Sequence, residues 1–233
     1  MKLALMQPYL FPYLGYFQLI SACDTFVVHD DVQYIKGGWI NRNRIGMNGR
    51  DHLFTLSVAS APSSALINER TFSSQHRAEV AKLRRVLEAA YRKAPHFSST
   101  MDIVDEVFAS EDIGVSRVAT RSLALVCKRL GIERRWLLSS ELAKNDTLKG
   151  QDRVLEIARV LGATGYMNAI GGLELYERAA FIERGIAIDF LRMRFVPYAQ
   201  LSPTFVPGLS ILDVLMFNSL DRTRELLTEY DLV

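Results

Sequence analysis

The clearest fold signal lies in residues 154–191, VLEIARVLGATGYMNAIGGLELYERAAFIERGIAIDFL. Two amphipathic segments, 154–161 and 173–184, each end at a glycine, and a short apolar run follows each of them. Glycine is expected at a helix C-terminus because it adopts a positive φ without steric cost. The stretch therefore predicts helix, strand, helix, strand, which is the pattern of an α/β sheet with helices on its faces.

The same pattern occurs earlier in the chain. Residues 115–130 form an amphipathic segment that ends at Gly131 and leads to the apolar run 135–138. Residues 3–6 and 25–29 are typical of buried strands, and the apolar residues between them suggest a helix that begins near Tyr13. A strand, helix, strand unit predicts a parallel pair with a right-handed crossover.

No linker rich in Gly, Ser or Pro divides the chain, so we expect one domain over residues 1–233. Residues 75–93 carry apolar side chains at helical spacing, which predicts a helical insertion at about 75–115. Ser210 begins a segment with a capping-box-like start, and residues 221–230 predict a further helix. The predicted fold is α/β, a Rossmann-like, mostly parallel sheet with flanking helices and this insertion.

The composition is that of an ordinary globular protein, with 49% apolar, 23% charged and 10% aromatic residues. It excludes disordered, collagenous and disulfide-dense classes. The chain has 28 Lys and Arg against 26 Asp and Glu, a net charge of +2, so no global field favours nucleic acid or an anionic membrane. Cys23 and Cys127 are far apart and lack the C-x-x-C spacing of a metal or redox site.

The N-terminus has no signal-peptide apolar region, and no apolar stretch of about 18 residues follows. We therefore expect a cytoplasmic protein that does not insert into a membrane.

Polar residues follow the predicted strands at the edge where ligands of open α/β sheets bind. We expect them to converge on one rim, although solubility alone also explains polar residues there. These residues are Gln7 and Tyr9 after the first strand, His29, Asp30, Asp31 and Gln33 after the second, Asn168, Gly171 and Gly172 after residues 165–170, and Arg192 and Arg194 after the last.

His29, Asp30 and Asp31 are the candidate catalytic residues. Histidine titrates near neutral pH, and carboxylates orient substrates or accept protons. Adjacent strand residues point to opposite faces, so only one of Asp30 and Asp31 is needed at the site. A strand end capped by turn-forming Asp is the alternative interpretation. We assign no metal-ligand set.

Residues 39–44, WINRNR, suggest a pocket for a small ligand. Alternation would place Trp39, Asn41 and Asn43 on one side and Arg42 and Arg44 on the other. Arg binds carboxylate or phosphate, Asn binds hydroxyls, and a Trp face suits a sugar ring or a base. A hydrated edge strand is the alternative.

Two further segments are candidate anion sites. Residues 149–153, KGQDR, precede a predicted helix, whose N-terminus attracts anions. Residues 168–172 place glycine backbone N–H groups after a predicted strand, and we rank this segment higher for that reason.

The start of the chain resembles nucleotidylyltransferases and pantothenate-synthetase-like enzymes, in which H-x-G-H opens the first helix. Here Tyr13-Leu14-Gly15-Tyr16 stands in that place. The absence of both histidines argues against nucleotidyl transfer.

The whole chain resembles the WbqC-like family, through Gln7-Pro8-Tyr9-Leu10-Phe11-Pro12-Tyr13-Leu14-Gly15-Tyr16-Phe17-Gln18-Leu19-Ile20, Asp30-Asp31-Val32-Gln33-Tyr34-Ile35, Gly38-Trp39-Ile40-Asn41-Arg42-Asn43 and Gly171-Gly172-Leu173-Glu174-Leu175-Tyr176. The resemblance implies that the motif residues of the family correspond in this chain to Gln7, Tyr9, Tyr13, Asp30, Asp31, Gln33, Trp39, Asn41, Arg42, Asn43, Asn168, Gly171, Gly172, Tyr176 and Asp213.

The resemblance implies a glycine or other aminoacyl or acyl transferase that modifies a nucleotide-linked sugar of O-antigen or surface polysaccharide. In this hypothesis Asp30 or Asp31 is the general base, residues 41–43 fix the substrate, and the backbone of Gly171 and Gly172 holds a phosphate or an oxyanion. Three acyl donors are compatible with this hypothesis: an amino acid with ATP and Mg²⁺, a thioester, or an aminoacyl-tRNA. An aminoacyl-tRNA would be the one nucleic-acid partner that we expect.

Two alternatives stay open. One is a nucleotidylyl- or adenylate-forming enzyme that uses ATP and Mg²⁺. The other is a non-catalytic module that binds a nucleotide sugar. The sequence leaves the sugar and the oligomeric state undetermined.

Overall fold

The computed structural model describes all 233 residues. Its strands are β1 (Lys2–Met6), β2 (Thr25–Val28), β3 (Arg42–Met47), β4 (Arg50–Thr55), β5 (Arg135–Leu138), β6 (Gly165–Ala169), β7 (Ala187–Met193) and β8 (Tyr230–Leu232). Its helices are α1 (Leu14–Ala22), α2 (His76–Tyr91), α3 (Phe97–Phe108), α4 (Val115–Leu130), α5 (Gly150–Leu161), α6 (Arg178–Ile182), α7 (Ile211–Phe217) and α8 (Leu220–Leu226).

Six strands form one sheet in the order β5-β2-β1-β6-β7-β8. The first five are mutually parallel, and only β8 runs antiparallel to its neighbour β7. Strands β3 and β4 form a separate antiparallel hairpin. The predicted α/β class with a mostly parallel, Rossmann-like sheet is therefore confirmed.

The chain reverses direction across the sheet at the central strand. From β1 it moves outward to β2 and β5, and then it crosses back to β6 and β7 on the other side. The carboxyl ends of β1 and β6 consequently border a crevice, which is where open α/β sheets bind ligands.

Helices cover both faces of the sheet. Leu3 and Leu5 of β1 pack with Val154 and Ile157 of α5 in one apolar cluster, whereas Ala4 belongs to the larger cluster on the opposite face. This alternation follows from the two-residue period of a strand. No helix combines the length and apolar character needed to cross a bilayer.

Glycines end the helices at the expected positions. Gly131 after α4 and Gly162 after α5 have φ of 70° and 64°, in the left-handed region. Helices α2 and α3 fall within residues 75–115, the range of the predicted insertion. The division of the chain into one domain with an insertion stays a prediction.

Residues 173–184 form a shorter helix than predicted. A 3₁₀ helix, Ile170–Leu175, precedes α6, and Tyr176 between them is extended, with φ −129° and ψ 129°. The Tyr176 ring packs against Tyr166 and Phe181, with centroids 5.6 and 5.7 Å away. This tertiary packing outweighs the local helical preference.

The last predicted helix also ends early. It stops at Leu226, although residues 221–230 have a helical pattern. Tyr230 lies opposite Met193 in a strand pair instead. Strand β7 would otherwise present unpaired N–H and C=O groups at the edge of the sheet, and β8 satisfies them.

The loop after β1, residues 7–13, which we call the aromatic loop, is held in an unusual backbone conformation. Phe11 has φ 46°, which is disfavoured for a residue with a Cβ. The side chains of Asn43 and Ser210 both donate to the Phe11 carbonyl, the latter at 2.7 Å. The Phe11 N–H donates to Ser122 Oγ at 3.1 Å. Hydrogen bonds from three distant segments thus maintain the strained residue.

We expect Asn43→Ala to lower the free energy of unfolding by about 3 kcal/mol, because buried polar groups of the aromatic loop lose their partner. Asn43 also donates to the Leu10 carbonyl at 3.2 Å and accepts from the Tyr9 hydroxyl at 3.2 Å. Urea unfolding measures the loss.

Asn145→Ala is the matched control, because exposed Asn145 hydrogen-bonds only within its own turn, to Thr147. Its cost should stay below about 1 kcal/mol. An equal decrease in the free energy of unfolding in Asn43→Ala and Asn145→Ala would contradict the role of Asn43 in holding the aromatic loop.

Candidate functional site

Two cavities lie at the carboxyl edge of the sheet. The first, which we call the aromatic cavity, has a volume of about 480 Å³ and lies between the ends of β1 and β6. The second, the cationic cavity, has a volume of about 720 Å³ and is bordered by the end of β2, the loop after β5 and the start of α5. His29 lines both cavities, and no other residue does.

The aromatic cavity brings together nine of the residues proposed from sequence. They come from the aromatic loop, from the end of β2, from the segment before β3, and from β6 and the segment after it, and they are Gln7, Tyr9, Tyr13, His29, Trp39, Asn168, Gly171, Gly172 and Tyr176. Burial raises the pKa of the Tyr9 and Tyr13 phenols, so both stay protonated and can donate hydrogen bonds at neutral pH.

The cationic cavity contains Asp31 and Gln33 from the proposed set, together with Lys149, Gly150 and Arg153 of the KGQDR segment. Lys149 is the N-cap of α5, and Gly150 begins the helix with φ 52°. The N-terminal N–H groups of α5 and the Lys149 ammonium therefore border the same space. Both favour an anion.

Residues 41–43 lie outside both cavities. Asn41 donates to the Leu56 carbonyl at 2.7 Å and accepts from the Tyr34 hydroxyl at 2.9 Å. Arg42 donates to the Gly37 carbonyl, and Asn43 holds the aromatic loop. The three side chains, which we proposed to fix the substrate, instead form hydrogen bonds that hold the hairpin against the neighbouring loops.

Trp39 lies with the arginines and not opposite them, contrary to the alternation expected for a strand. The guanidinium carbons of Arg42 and Arg44 lie 5.2 and 5.3 Å from the centre of the Trp39 ring. Trp39 precedes β3, which begins at Arg42, so the strand period does not extend to it.

Asp30 and Asp31 have different surroundings. Asp30 is 2% exposed and accepts from the backbone N–H of Ser140 at 3.0 Å and from its hydroxyl at 2.7 Å. It thereby fastens the turn after β5. Asp31 Oδ2 contacts Lys144 Nζ at 2.6 Å and Arg153 Nη2 at 2.5 Å.

Lys144 completes a nearly buried ion cluster with Asp31 and Arg153. Its side chain is 1% exposed, and its ammonium also donates to the Ser139 carbonyl at 2.5 Å and contacts Asp146 at 3.1 Å. Sequence reasoning missed Lys144, because one lysine in a polar loop gives no signal that it is buried. It also missed Ser64, Ser140 and Asp146 in the cationic cavity.

The cluster determines the charge states of its neighbours. Burial raises the pKa of Asp31, but Lys144, Ser139 and Arg153 together lower it further, so the pKa lies below its ordinary value and the carboxylate is ionised. Burial lowers the pKa of His29 to about 4. The Asp31 carboxylate raises this pKa in part, whereas the charges of Arg153 and Lys144 lower it further.

His29 is consequently neutral at pH 7. Its Nε2 is buried, has no hydrogen-bond partner and lies 4.0 Å from Asp31 Oδ1. A neutral imidazole with a free nitrogen can accept a proton or a hydrogen bond from a ligand.

Asp213 and Arg194 lie elsewhere. Asp213 accepts from Tyr91 at 2.6 Å, Tyr198 at 2.7 Å and Gln200 at 2.8 Å, beside a separate cavity of about 480 Å³. Burial raises its pKa despite these donors. Arg194 pairs with acidic residues 229 and 231 near β8. Neither residue lines the cavities at the sheet edge.

Comparisons with known proteins extend these observations. The model of the WbqC-like protein family matches residues 7–225. Uncharacterized protein Rv1507c of Mycobacterium tuberculosis is 30% identical in an alignment 227 positions long, and the match covers 93% of each chain. No solved structure matches the chain.

The depressed pKa of His29 predicts a pH-dependent stability. Between pH 6.5 and about 4 the unfolded chain protonates His29 while the folded chain does not, so stability falls as the pH is lowered through this window, by about 3 kcal/mol in all. In His29→Gln this contribution should disappear. Urea unfolding at several pH values measures it.

His52→Gln replaces an exposed histidine of β4 and serves as the control. It should retain the wild-type slope. A wild-type slope in His29→Gln would show that His29 is not held neutral.

We expect Asp31→Asn to destabilise the fold by about 3 to 5 kcal/mol, because two poorly exposed cations lose their carboxylate. Asp146 contacts the same cations, but its side chain is 74% exposed. Asp146→Asn should therefore cost less than about 1 kcal/mol in the same denaturation assay. Comparable costs would argue against the central role of Asp31.

Proposed function

The chain belongs to the WbqC-like protein family, and on that premise we propose that it transfers an acyl or aminoacyl group to an amino or hydroxyl group of a nucleotide-linked sugar, in the synthesis of a bacterial surface polysaccharide. The observation that carries the proposal is His29, a neutral histidine and the one residue that lines both of two chemically different cavities. Two cavities that meet at one base suit a reaction between two substrates.

The cationic cavity is the proposed site of the nucleotide-linked sugar. Its diphosphate is assigned to the N-terminus of the 12-residue helix α5, beside Arg153 and beside Lys149, which forms no ion pair with an acidic side chain. Gln33 and Ser64 offer amide and hydroxyl groups for the sugar.

The aromatic cavity is the proposed site of the acyl donor. Gly171 has no other atom within 4 Å of where a Cβ would lie, so its backbone borders open space. Its N–H and the amide of Asn168 are the candidate donors to the oxyanion that forms on the acyl carbonyl.

In the proposed reaction the sugar's amino or hydroxyl group attacks the acyl carbonyl, and a C–N or C–O bond forms. The bond between the acyl carbon and the leaving group of an activated ester or thioester breaks. The His29 imidazole accepts the proton of the attacking group and returns it to the leaving group, so no oxidant or reductant is needed. An anionic diphosphate beside Arg153 and Lys144 would offset the charges that lower the pKa of His29.

This assignment changes the roles first proposed for the two aspartates. Asp31 forms ion pairs with Lys144 and Arg153, and Asp30 accepts a hydrogen bond from the Ser140 hydroxyl. Because both carboxylates are already bound, His29 is the better candidate for the base. Asp31 then acts through the cations that it positions.

The first test is a thermal-shift titration with UDP, UDP-N-acetylglucosamine and dTDP-glucose. A ligand that binds the native state raises Tm by mass action. Lys149→Ala should weaken binding by about tenfold, because it removes a charge-assisted hydrogen bond to phosphate. Lys128→Ala, an exposed lysine in the last turn of α4, is the matched control and should bind like the wild type.

The second test is turnover of a UDP-amino sugar with an acyl thioester, followed by mass spectrometry of the sugar product. His29→Gln should lower turnover by about 100-fold, while UDP still raises the Tm of the variant. Binding without turnover under all conditions would favour the non-catalytic module. Release of pyrophosphate from ATP and Mg²⁺ would favour the adenylate-forming alternative.

A further inference from the structure

The mouth of the aromatic cavity is formed by exposed apolar side chains. Ile35, Trp39 and Leu175 are 61%, 42% and 69% exposed, and all three line the cavity. They belong to two segments, the one before β3 and the 3₁₀ helix after β6. Apolar residues gathered around the opening of a cavity are typical of a site for an apolar ligand.

The interior of the aromatic cavity is apolar as well. Eleven of its 18 lining residues are hydrophobic, compared with two of 11 in the cationic cavity. The two cavities that meet at His29 therefore differ in the ligands that they favour, one polar and anionic, the other apolar.

The aromatic cavity is poorly suited to an ammonium group. None of its 18 lining residues is Asp or Glu, so an amino group would find no carboxylate there. The Trp39 ring, which would otherwise attract a cation, already has the guanidinium groups of Arg42 and Arg44 within 5.3 Å of its centre. A further cation would be repelled by both of them.

We propose that the aromatic cavity binds an apolar acyl chain of several carbons, so that the donor carries a fatty-type acyl group and not a glycyl or other aminoacyl group. This inference rests on the proposed function for the transfer itself. The acyl–sulfur bond of the thioester breaks, the acyl bond to the sugar forms, and the proton of the sugar group leaves through His29 to the thiolate.

The test uses S-acyl-N-acetylcysteamine thioesters with acetyl, propanoyl, butanoyl, hexanoyl and octanoyl chains, titrated into the full chain by calorimetry. Affinity should rise two- to fourfold with each methylene until the cavity is filled. Glycyl and propanoyl thioesters differ only in an ammonium against a methyl group, and propanoyl should bind at least tenfold more tightly at pH 7.

Leu175→Ser and Ile35→Ser should flatten the dependence on chain length, and both residues are exposed enough for the fold to tolerate the change. Ile182→Ser is the matched control, because Ile182 is 64% exposed on α6 and does not line the cavity. Its dependence on chain length should equal that of the wild type.

Three results would overturn the inference. The first is an affinity that does not rise with chain length, and the second is a glycyl thioester that binds as tightly as the propanoyl thioester. The third is a chain-length dependence that flattens in Ile182→Ser as much as in Leu175→Ser and Ile35→Ser. If the chain-length effect fails but UDP-sugars still bind through Lys149, the proposed transfer stands with a different donor. If the chain-length effect holds and UDP-sugars do not bind, the apolar site stands and the proposed acceptor is wrong.

Discussion

Asp31 forms ion pairs with two cations, Lys144 and Arg153, that the fold places at the carboxyl edge of the sheet with almost no exposure to solvent. Removing either charge from water costs several kcal/mol unless an opposite charge lies in contact. The contact joins the end of β2, the loop after β5 and the first turn of α5. The shape and charge of the cationic cavity therefore depend on this one carboxylate.

The same cluster explains why His29 differs from an ordinary histidine. Burial and the two nearby cations disfavour the imidazolium, and Asp31 compensates only in part. A histidine in a solvated loop would titrate near pH 6.5 and carry a fractional charge in the cell. Here the fold supplies a neutral nitrogen with a defined charge state, positioned between two binding spaces before any ligand arrives.

The aromatic cavity depends on a different constraint. Phe11 holds a backbone conformation that an isolated chain would avoid, and Asn43, Ser122 and Ser210 maintain it. Hydrogen bonds from the hairpin, from α4 and from the N-cap of α7 therefore hold the aromatic loop beside β6. Few residues in this loop touch solvent freely, which favours a preformed cavity over one that assembles around its ligand.

The sequence was sufficient for the five parallel strands of the sheet and for the helices between them. Apolar runs that alternate with helices ending at Gly131 and Gly162 are local signals, and the polar residues after each strand follow from topology. The contacts of Asn41 and Asn43 did not follow from the sequence, because an asparagine that satisfies distant carbonyls has the same local pattern as one that faces a ligand.

Lys144 and β8 could not be predicted for a related reason. Their surroundings come from residues far along the chain, such as Asp31 for Lys144 and Met193 for Tyr230. Sequence patterns report neighbours within a few positions, whereas burial and edge pairing are decided after the chain has folded back on itself.

The position of β1 has a consequence for biosynthesis. Strand β1 is a central strand of the sheet, and its partner β6 pairs Gly165 with Lys2, 163 residues earlier in the chain. Gln18 of α1 likewise bonds to the carbonyls of Leu226 and Glu229, over 200 residues later. Contacts of such high sequence separation form slowly. During synthesis one edge of the apolar strand β1 therefore lacks its partner until β6 has been made, and an unpaired apolar strand edge is a site for aggregation or for chaperone binding.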